Sequence, residues 1–406
     1  MRVFSKSIRL ENVTYDIRGP VAQEARRMEM EGTEIIKLNT GNPAVFGFNA
    51  DESIINDISK NLKNALPYGD SRGISPARDA IMEDFKARGI NVLSTEDIYI
   101  GNGVSELILM AMQCLLNPGD EVLIPMPDYP LWSAAVNISD GKAVLYHCVE
   151  ENEWNPDIDD IRSKVSKNTK AIVVINPNNP TGAVYSKETL QEIVKIAKQN
   201  ELIVFSDEIY TRITYEEAKH IPIATLDPDI LTITFDGLSK TWLACGFRAG
   251  WMVISGNKKG AVEYLDGIEL LSNMRLCPNM PSQFGIQAAL TNHKSINPLL
   301  IPGGRLMEQR GIAVNMTNDI PGLSVVKPKG ALYCFPKMDI KRFNITSDEK
   351  FALDLLKEKH LLFTHGTGFN WPNPDHFRVV FLPDPETMKE AMMRLGDFLS
   401  TYKQKR

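Results

Sequence analysis

The sequence predicts an α/β fold, with a mostly parallel seven-stranded sheet flanked by helices in a large domain and a smaller α+β domain after it. The chain has 406 residues, which exceeds the usual size of one hydrophobic core, so more than one domain is expected. Through its middle, short apolar β-rich runs alternate with stretches long enough for a helix, a pattern typical of a parallel sheet covered on both faces. After about residue 295 the alternation gives way to a helix-rich segment and shorter strands, which marks the second domain.

Seven apolar runs are the predicted strands of the large sheet. They are IYI at 98–100, EVLIP at 121–125, KAVLYH at 142–147, AIVVI at 171–175, LIVF at 202–205, LTITF at 231–235 and WMVI at 251–254. Between them, residues 105–116 and 187–200 have helical spacing of apolar residues and end in the turn sequences NPGD and KQNE. The predicted domains are 1–45, a segment that packs on the small domain, 46–295, the large domain, and 296–406, the small domain.

Composition narrows the class of protein. Hydrophobic residues make up 43% of the chain, yet no apolar run approaches the ~20 residues needed to span a bilayer. The first 13 residues lack the apolar core of a signal peptide, so a cytoplasmic location is expected. The net charge of −6 and the scattered basic residues argue against a nucleic-acid partner. The five cysteines are far apart and the six histidines show no H-E-x-x-H spacing, so neither a disulfide framework nor a metal site is predicted.

Charged side chains follow two of the predicted strands at the point where each strand ends. Asp207 comes two positions after the end of LIVF, and Lys240 comes after LTITF with Arg248 eight positions beyond it. In open α/β sheets, ligands bind beyond the carboxyl ends of the strands. A carboxylate or an amine at that depth is costly without a partner. The pattern therefore indicates either a plain buried ion pair or a ligand site.

The segment YIGNGVSEL indicates an anion site. It places Gly103 between a strand and a helix, so the backbone N–H groups of Val104 and Ser105 can face a phosphate. The third glycine of a dinucleotide fingerprint is missing and no G-x-x-x-x-G-K-[ST] occurs. The missing glycine counts against an NAD-dependent oxidoreductase, although the alternating strands alone would allow one. Ser239 and Arg248 would complete a cradle for a different phosphate.

Two further loops add polar and aromatic groups. INPNNPTG offers asparagine side chains that can donate to a bound ring, and PDYPLW holds Tyr129 between prolines, where its ring could stack on a planar cofactor. Taken alone, these loops indicate a strand-to-helix turn and a core aromatic. Together with the other groups they predict pyridoxal phosphate, with Lys240 condensing with its aldehyde and Asp207 keeping its ring nitrogen protonated.

The motifs NPNNPTG, DEIY, GLSKT and FRAGW resemble those of the class I pyridoxal-phosphate aminotransferases of fold type I, and the resemblance covers essentially the whole chain. It implies that Lys240 is the Schiff-base lysine and proton shuttle, Asp207 the pyridinium partner and Tyr129 the stacking ring. The other cofactor-binding residues that it implies are Gly103, Val104, Ser105, Asn179, Tyr210, Ser239, Arg248 and Tyr68, with Tyr210 also a catalytic candidate. Tyr68, in LPYGDSRG, is similar to a tyrosine that reaches the phosphate of the neighbouring subunit, which implies a homodimer.

The same resemblance extends to the substrate. The substrate-binding residues that it implies are Gly41, Asn179, Arg378, Tyr15 and Arg18. Arg378, in DHFRVVF, corresponds to the arginine that holds the substrate α-carboxylate, where a bidentate fork suits a planar group. The segments YDIRGP and MRLCPNMPSQ resemble the alanine (glutamate–pyruvate) branch, which implies amino transfer between alanine and 2-oxoglutarate. Arg18 or Arg275 would then hold the distal carboxylate of glutamate.

Other activities share the same cofactor contacts and stay open at this point. They are aromatic, branched-chain and kynurenine aminotransferases and carbon–sulfur lyases. Trp242 and Cys245 lie close to Lys240 where many relatives carry other residues, which leaves the preferred side chain undecided. A DNA-binding regulator of the same fold would need a basic module before residue 40 or after residue 400, and the sequence shows none.

Overall fold

The large sheet has eight strands, and the seven predicted runs are all among them. The structure is a computed structural model that describes residues 3–11, 13, 19–292 and 294–405. Its strands are β1 (Ile36–Lys37), β2 (Ile98–Gly101), β3 (Glu121–Met126), β4 (Lys142–Val149), β5 (Asn155–Pro156), β6 (Thr169–Ile175), β7 (Ile203–Asp207), β8 (Thr232–Gly237), β9 (Gly250–Ser255), β10 (Leu323–Ser324), β11 (Tyr333–Cys334), β12 (Lys337–Met338), β13 (Leu361–Leu362), β14 (Thr364–His365) and β15 (Phe377–Val380). The eighth strand of the sheet is β5, whose two residues are too few to form a recognisable apolar run.

The strand order of the large sheet is β2-β9-β8-β7-β6-β3-β4-β5. Strands β8, β7, β6, β3 and β4 pair in parallel, β9 runs antiparallel to both β2 and β8, and β5 is an antiparallel edge. The predicted mostly parallel sheet is therefore confirmed. All six residues of β8 and all six of β9 are buried, which explains why these strands appear as continuous rather than alternating apolar runs.

Helices cover both faces of this sheet and build the smaller part of the molecule. They are α1 (Pro20–Met30), α2 (Glu52–Asn61), α3 (Ser75–Ala87), α4 (Val104–Leu115), α5 (Leu131–Ile138), α6 (Ile158–Lys164), α7 (Lys187–Gln199), α8 (Val262–Met274), α9 (Met280–Thr291), α10 (Asn297–Leu300), α11 (Arg305–Asp319), α12 (Ile340–Phe343), α13 (Asp348–Lys359) and α14 (Pro385–Thr401). The two predicted helices coincide with α4 and α7 to within a residue at each end. Among the described helices, none has the length and apolar character needed to cross a membrane.

A three-stranded sheet, in the order β11-β15-β14, forms the centre of the smaller part. It shares a core with α11, α13 and α14, and β15 brings Arg378 into that core. In the N-terminal segment, β1 pairs with β13 of this part, and α1 lies against α13. Residues 8–10 instead lie against α5, with Arg9 paired to Asp140 at 2.7 Å. The boundaries at residues 45 and 295 stay predictions.

Candidate active site

A cavity of about 270 Å³ opens at the carboxyl ends of the parallel strands β6, β7 and β8, beside the start of α4. The predicted residues that line it are Gly41, Val104, Ser105, Tyr129, Asn179, Asp207, Tyr210, Ser239, Lys240, Arg248 and Arg378. Gly103 lies directly before α4, as its N-terminal cap. The fold thus gathers at one edge of the sheet side chains that lie up to several hundred residues apart along the chain.

Asp207 is the last residue of β7, and its side chain is buried at the base of the cavity. The indole Nε1–H of Trp132 donates to Oδ2 at 3.0 Å, and the Ile209 N–H donates to Oδ1 at 3.4 Å. Burial raises the pKa of Asp207 to about 6, although these donors and the charge of Lys240 act in the opposite direction. No basic side chain in the described part of the chain forms an ion pair with this carboxylate. A cationic N–H from a bound ring would complete it.

Lys240 projects into the cavity from the loop after β8. Its Nζ donates to the Gly41 carbonyl oxygen at 2.6 Å and lies 3.7 Å from the Cys245 Sγ. Burial disfavours the charged amine, but Tyr333 and Cys245 more than offset this, so the pKa of Lys240 lies above its ordinary value. The amine is therefore held by a backbone carbonyl rather than by Asp207. The plain Asp207–Lys240 ion pair, which the sequence allowed, does not form.

The predicted phosphate cradle is formed by the start of α4 and Arg248. The backbone of Gly103 is left-handed, with φ +81°, and a Cβ there would collide with the Arg248 guanidinium, so only glycine lets the two meet. Nη1 of Arg248 donates to the Cys245 carbonyl at 2.9 Å and lies 3.5 Å from Ser239 Oγ. The free N–H groups at the start of this helix and a guanidinium thus face the same space, which suits a dianionic phosphate.

Arg378 is almost fully buried, with 2% of its surface exposed, so it is not a surface arginine on a strand. Its Nη1 donates to Asn179 Oδ1 at 2.9 Å, and a second N–H donates to the Asn39 carbonyl. Its guanidinium carbon lies 4.5 Å from the ring centre of Tyr333 and 4.6 Å from that of Phe369. The fork is therefore held in place at the cavity wall by two hydrogen bonds and by contacts with two aromatic rings.

Some predicted residues do not reach this cavity. Tyr68 is 79% exposed and lies outside it, and its role toward a second subunit stays a prediction. Arg275 pairs with Glu106 and donates to the Ser71 carbonyl at 3.1 Å and the Ile100 carbonyl at 2.6 Å, so it fixes local backbone and does not line the cavity. Tyr15 and Arg18 lie outside the described residues.

The sequence did not reveal several groups at the site. Tyr333 lines the cavity and its hydroxyl lies 2.8 Å from that of Tyr210, but it belongs to the apolar run ALYCF and has no polar neighbour that would mark it. Trp132, the donor to Asp207, was visible only as the last aromatic of PDYPLW. Cys245 was noted for its nearness to Lys240 and indeed lines the cavity, as does Thr40.

These groups fit pyridoxal phosphate. A buried carboxylate without a basic partner suits the ring nitrogen, the lysine amine suits the aldehyde, and the helix start with Arg248 suits the phosphate. Asn179 and Tyr210 lie on the cavity wall near Asp207, where their polar groups could meet the ring hydroxyl. The roles of the individual residues stay predictions.

Comparison with known proteins gives the same result. The family model for aminotransferase class I and II matches residues 33–395. The chain is 57% identical to glutamate-pyruvate aminotransferase AlaA of Haemophilus influenzae over 404 residues, covering 100% of each, and 52% identical to an alanine aminotransferase of Mycobacterium tuberculosis, covering 99% of this chain and 94% of that protein. A crystal structure of an aminotransferase from Escherichia coli superimposes with a TM-score of 0.98 at 57% identity and covers 100% of each chain. The chain therefore belongs to the class I and II aminotransferase family, whose members depend on pyridoxal phosphate.

Proposed function

We propose that this protein is an alanine transaminase, which transfers the amino group between L-alanine and 2-oxoglutarate with pyridoxal phosphate as its cofactor. The observation that carries the proposal is the end-to-end 57% identity to a protein named glutamate-pyruvate aminotransferase. A second protein, named alanine aminotransferase, is 52% identical over almost the whole chain. The buried lysine, carboxylate and arginine of the cavity supply the groups that such a reaction needs.

The chain's own residues would divide the work as follows. Arg378 binds the α-carboxylate of the amino acid through its fork, and Asn179, already bonded to that fork, fixes its direction. Lys240 Nζ would take the proton from the substrate α-carbon and later donate it to the cofactor carbon that carries the aldehyde. Asp207 holds a proton on the ring nitrogen of the cofactor. When bound, the cofactor supplies the aldehyde that accepts the amino group and a ring that delocalises negative charge.

Arg18 is the better candidate for the distal carboxylate of glutamate. The alternative, Arg275, already pairs with Glu106 and donates to two backbone carbonyls, so moving it to a substrate would leave buried partners unsatisfied. The guanidinium of Arg275 is also absent from the cavity wall. Arg18 belongs to the segment YDIRGP, on which the resemblance to the alanine branch rests.

We further propose a homodimer in which Tyr68 of each subunit reaches the phosphate of the other. Tyr68 is 79% exposed, and nearby in the chain the apolar Leu66 is 83% exposed, so both side chains are available for contact with a second subunit. Met274 and Leu276, which belong to the segment MRLCPNMPSQ, are exposed as well. A twofold interface would bury such a patch on both subunits at once. The cytoplasmic location stays a prediction from composition.

The dimer proposal can be tested by mixing two inactive or weakened proteins. In the proposed dimer, Tyr68→Phe in one subunit weakens the active site of the other subunit. Lys240→Ala in a subunit abolishes the active site of that same subunit. In mixed dimers, the intact Tyr68 of the Lys240→Ala subunit serves the intact Lys240 of the other, so one complete site per mixed dimer forms. Activity at limiting pyridoxal phosphate should rise to about a quarter of wild type on random mixing, since half of the dimers are mixed and each has one complete site. Strictly additive activities would refute the shared site.

The transaminase proposal is tested by a visible absorption spectrum of the purified protein with pyridoxal phosphate. Adding L-alanine should shift the band of the lysine-bound cofactor to that of pyridoxamine phosphate, and adding pyruvate should restore it. Lys240→Ala should bind the cofactor without the lysine-bound band and should not respond to alanine. A band that does not change when alanine is added would mean that the substrate is another amino acid. The absence of any band would refute cofactor binding itself.

A further inference from the structure

Two consecutive residues, Phe369 and Asn370, bridge the loop that carries Tyr129 and the buried Arg378. They follow β14 in the smaller part of the molecule, whereas Tyr129 lies between β3 and α5 of the large sheet. The Phe369 ring packs against the Arg378 guanidinium, with 4.6 Å from the guanidinium carbon to the ring centre. The carbonyl oxygen of the same residue accepts a hydrogen bond from the Asp128 N–H at 3.1 Å. One short segment thus touches both predicted ligand-binding groups.

Asn370 makes the second half of the bridge with its side chain. Its Nδ2 donates to Asp128 Oδ1 at 2.8 Å and to Ser133 Oγ at 2.8 Å. Asparagine suits this position because the backbone is left-handed, with φ +56°, a conformation that asparagine adopts more readily than most residues. The side chain of Asn370 therefore joins the residue before Tyr129 to the first turn of α5.

Asp128 is fully buried, and its second oxygen, Oδ2, has no hydrogen-bond partner in the described part of the chain. Burial raises the pKa of Asp128 to about 7, with the bonds from Asn370 and Ser133 acting in the opposite direction. A carboxylate in this setting depends on the few donors that it has, because an unsatisfied buried charge costs several times more than a normal hydrogen bond contributes. The hydrogen bond from Asn370 is accordingly, together with Ser133, one of the contacts that fix where the Asp128 side chain lies.

A displacement of Asp128 would pass directly to Tyr129. The two residues are adjacent, and they lie between Pro127 and Pro130, whose rings fix the backbone angle φ on either side. The loop therefore has little freedom to absorb a shift before it reaches the tyrosine ring. This ring lines the cavity, and its packing on the core cluster around Trp132 fixes its other side.

We propose that Asn370, acting through Asp128, is a positioning residue that sets the orientation of the Tyr129 ring against the cofactor and ties it to Arg378. The inference rests on the proposed cofactor site, and it assigns to the Asp128–Asn370 pair a task beyond holding the fold together. Substrate binding at Arg378 and cofactor stacking at Tyr129 are then linked through one segment of two residues.

The test compares Asn370→Ala with Asn344→Ala. Asn344 also has a left-handed backbone, with φ +54°, its Nδ2 donates a single hydrogen bond of 2.8 Å, to the Gln404 carbonyl, and it does not line the cavity. Both variants lose the same backbone preference, but Asn344→Ala loses one hydrogen bond whereas Asn370→Ala loses two, one of them to a buried carboxylate, so Asn370→Ala should lose more thermal stability. Only Asn370→Ala should weaken pyridoxal phosphate binding, by about tenfold, as expected when a charge-assisted hydrogen bond is lost. The circular dichroism that the bound cofactor acquires from its surroundings should fall in the same variant.

A reciprocal exchange separates positioning from simple loss of packing. Asn370→Asp alone places two carboxylates together and should be the weakest binder. Combining it with Asp128→Asn restores the hydrogen bond with its direction reversed, since the amide at position 128 then donates to the carboxylate at position 370. The double variant should recover both the cofactor affinity and the circular dichroism. Recovery supports the proposal even if Asn370→Ala proves too unstable to purify.

The outcomes separate this inference from the proposed function. A wild-type protein that binds no pyridoxal phosphate would refute the proposed function, and with it this inference. A wild type that binds the cofactor, with unchanged affinity and circular dichroism in Asn370→Ala, would overturn the inference alone. Equal cofactor losses in Asn370→Ala and Asn344→Ala would overturn it as well, because the effect would then be one of general stability.

Discussion

Replacing Asp207 with asparagine should stabilise the cofactor-free protein while it abolishes most of the activity. The carboxylate is buried with 3% of its surface exposed and has two hydrogen-bond donors but no basic partner among the described residues. Asparagine has the same shape, and its amide oxygen can still accept from Trp132. The substitution thus removes the cost of burying a charge and keeps the stronger of the two hydrogen bonds.

The magnitude follows from the pKa of Asp207. Its rise from the ordinary value of 3.8 to about 6 corresponds to about 3 kcal/mol of the free energy of unfolding. For a carboxyl group with a raised pKa, the folded state binds the proton more tightly than the unfolded state. The cost is therefore absent below about pH 3.8, grows as the pH rises and is complete above about pH 6. The gain in Asp207→Asn should be about 3 kcal/mol at pH 8 and about half of that at pH 5.

Urea denaturation of the cofactor-free protein at a fixed protein concentration measures this gain, since the concentration affects the stability of any dimer. Asp266→Asn is the control, because Asp266 is exposed on α8 and its charge is not buried. It should change the free energy of unfolding little at either pH. Asp207→Asn with unchanged or lower stability at pH 8 would refute the claim that this carboxylate carries a burial cost. Saturation with pyridoxal phosphate should reverse the order of stability, because only the carboxylate can pair with a ring N–H cation.

Three other substitutions test separate parts of the site and fold. Gly103→Ala should weaken pyridoxal phosphate binding at least tenfold, because its Cβ would displace a guanidinium, whereas Gly119→Ala, with φ +95° and open space around it, should show only the backbone cost in a thermal unfolding assay. Arg18→Ala should raise KM for glutamate and leave KM for alanine unchanged; equal changes for both substrates would remove Arg18 from the distal site. Burial opposes protonation of His376, but Asp375 and Glu150 together more than offset this and raise its pKa, so the stabilisation should be complete below about pH 6.5 and lost as the pH rises through the folded value. This loss should appear as a melting temperature that falls as the pH rises, and His376→Gln should flatten that dependence. An unchanged slope in the variant would mean that another group causes the pH dependence.

The sequence predicted those parts of the site that depend on strand ends. Asp207 and Lys240 were identified because the apolar runs before them are long enough to define strands, and a parallel sheet brings such ends together. Arg378, far along the chain, was placed only through the family resemblance, since no local pattern says that β15 faces the large sheet. The same limit explains why Tyr333 was missed. Its contact with Tyr210 spans 123 positions, and nothing in either segment encodes it.

Oligomeric and positioning contacts were still less accessible to sequence reasoning. Tyr68 is exposed in the single chain, and its predicted role requires a second subunit. The Asp128–Asn370 hydrogen bond joins residues 242 positions apart, and both belong to loops that would serve equally well as ordinary turns. Such pairs can be recognised only when the burial and hydrogen bonding of each side chain are known. Their importance depends on the exclusion of water from around them rather than on the types of residue involved.

Among the described residues, Asp207 has no basic partner, whereas two of the buried acidic residues around it do. Glu208, the next residue, points to the opposite face of the sheet and pairs with Arg88. The same arginine lies 3.2 Å from Asp236 on the adjacent strand. Among the described residues, the fold thus supplies an ion-pair partner for the acids on one face of these strand ends, but none for Asp207 on the other face, where the cavity with Lys240 opens. A chain that can neutralise two buried acids within a few ångströms, and leaves a third without a basic partner beside a cavity, has a place there for a cation that comes with the ligand.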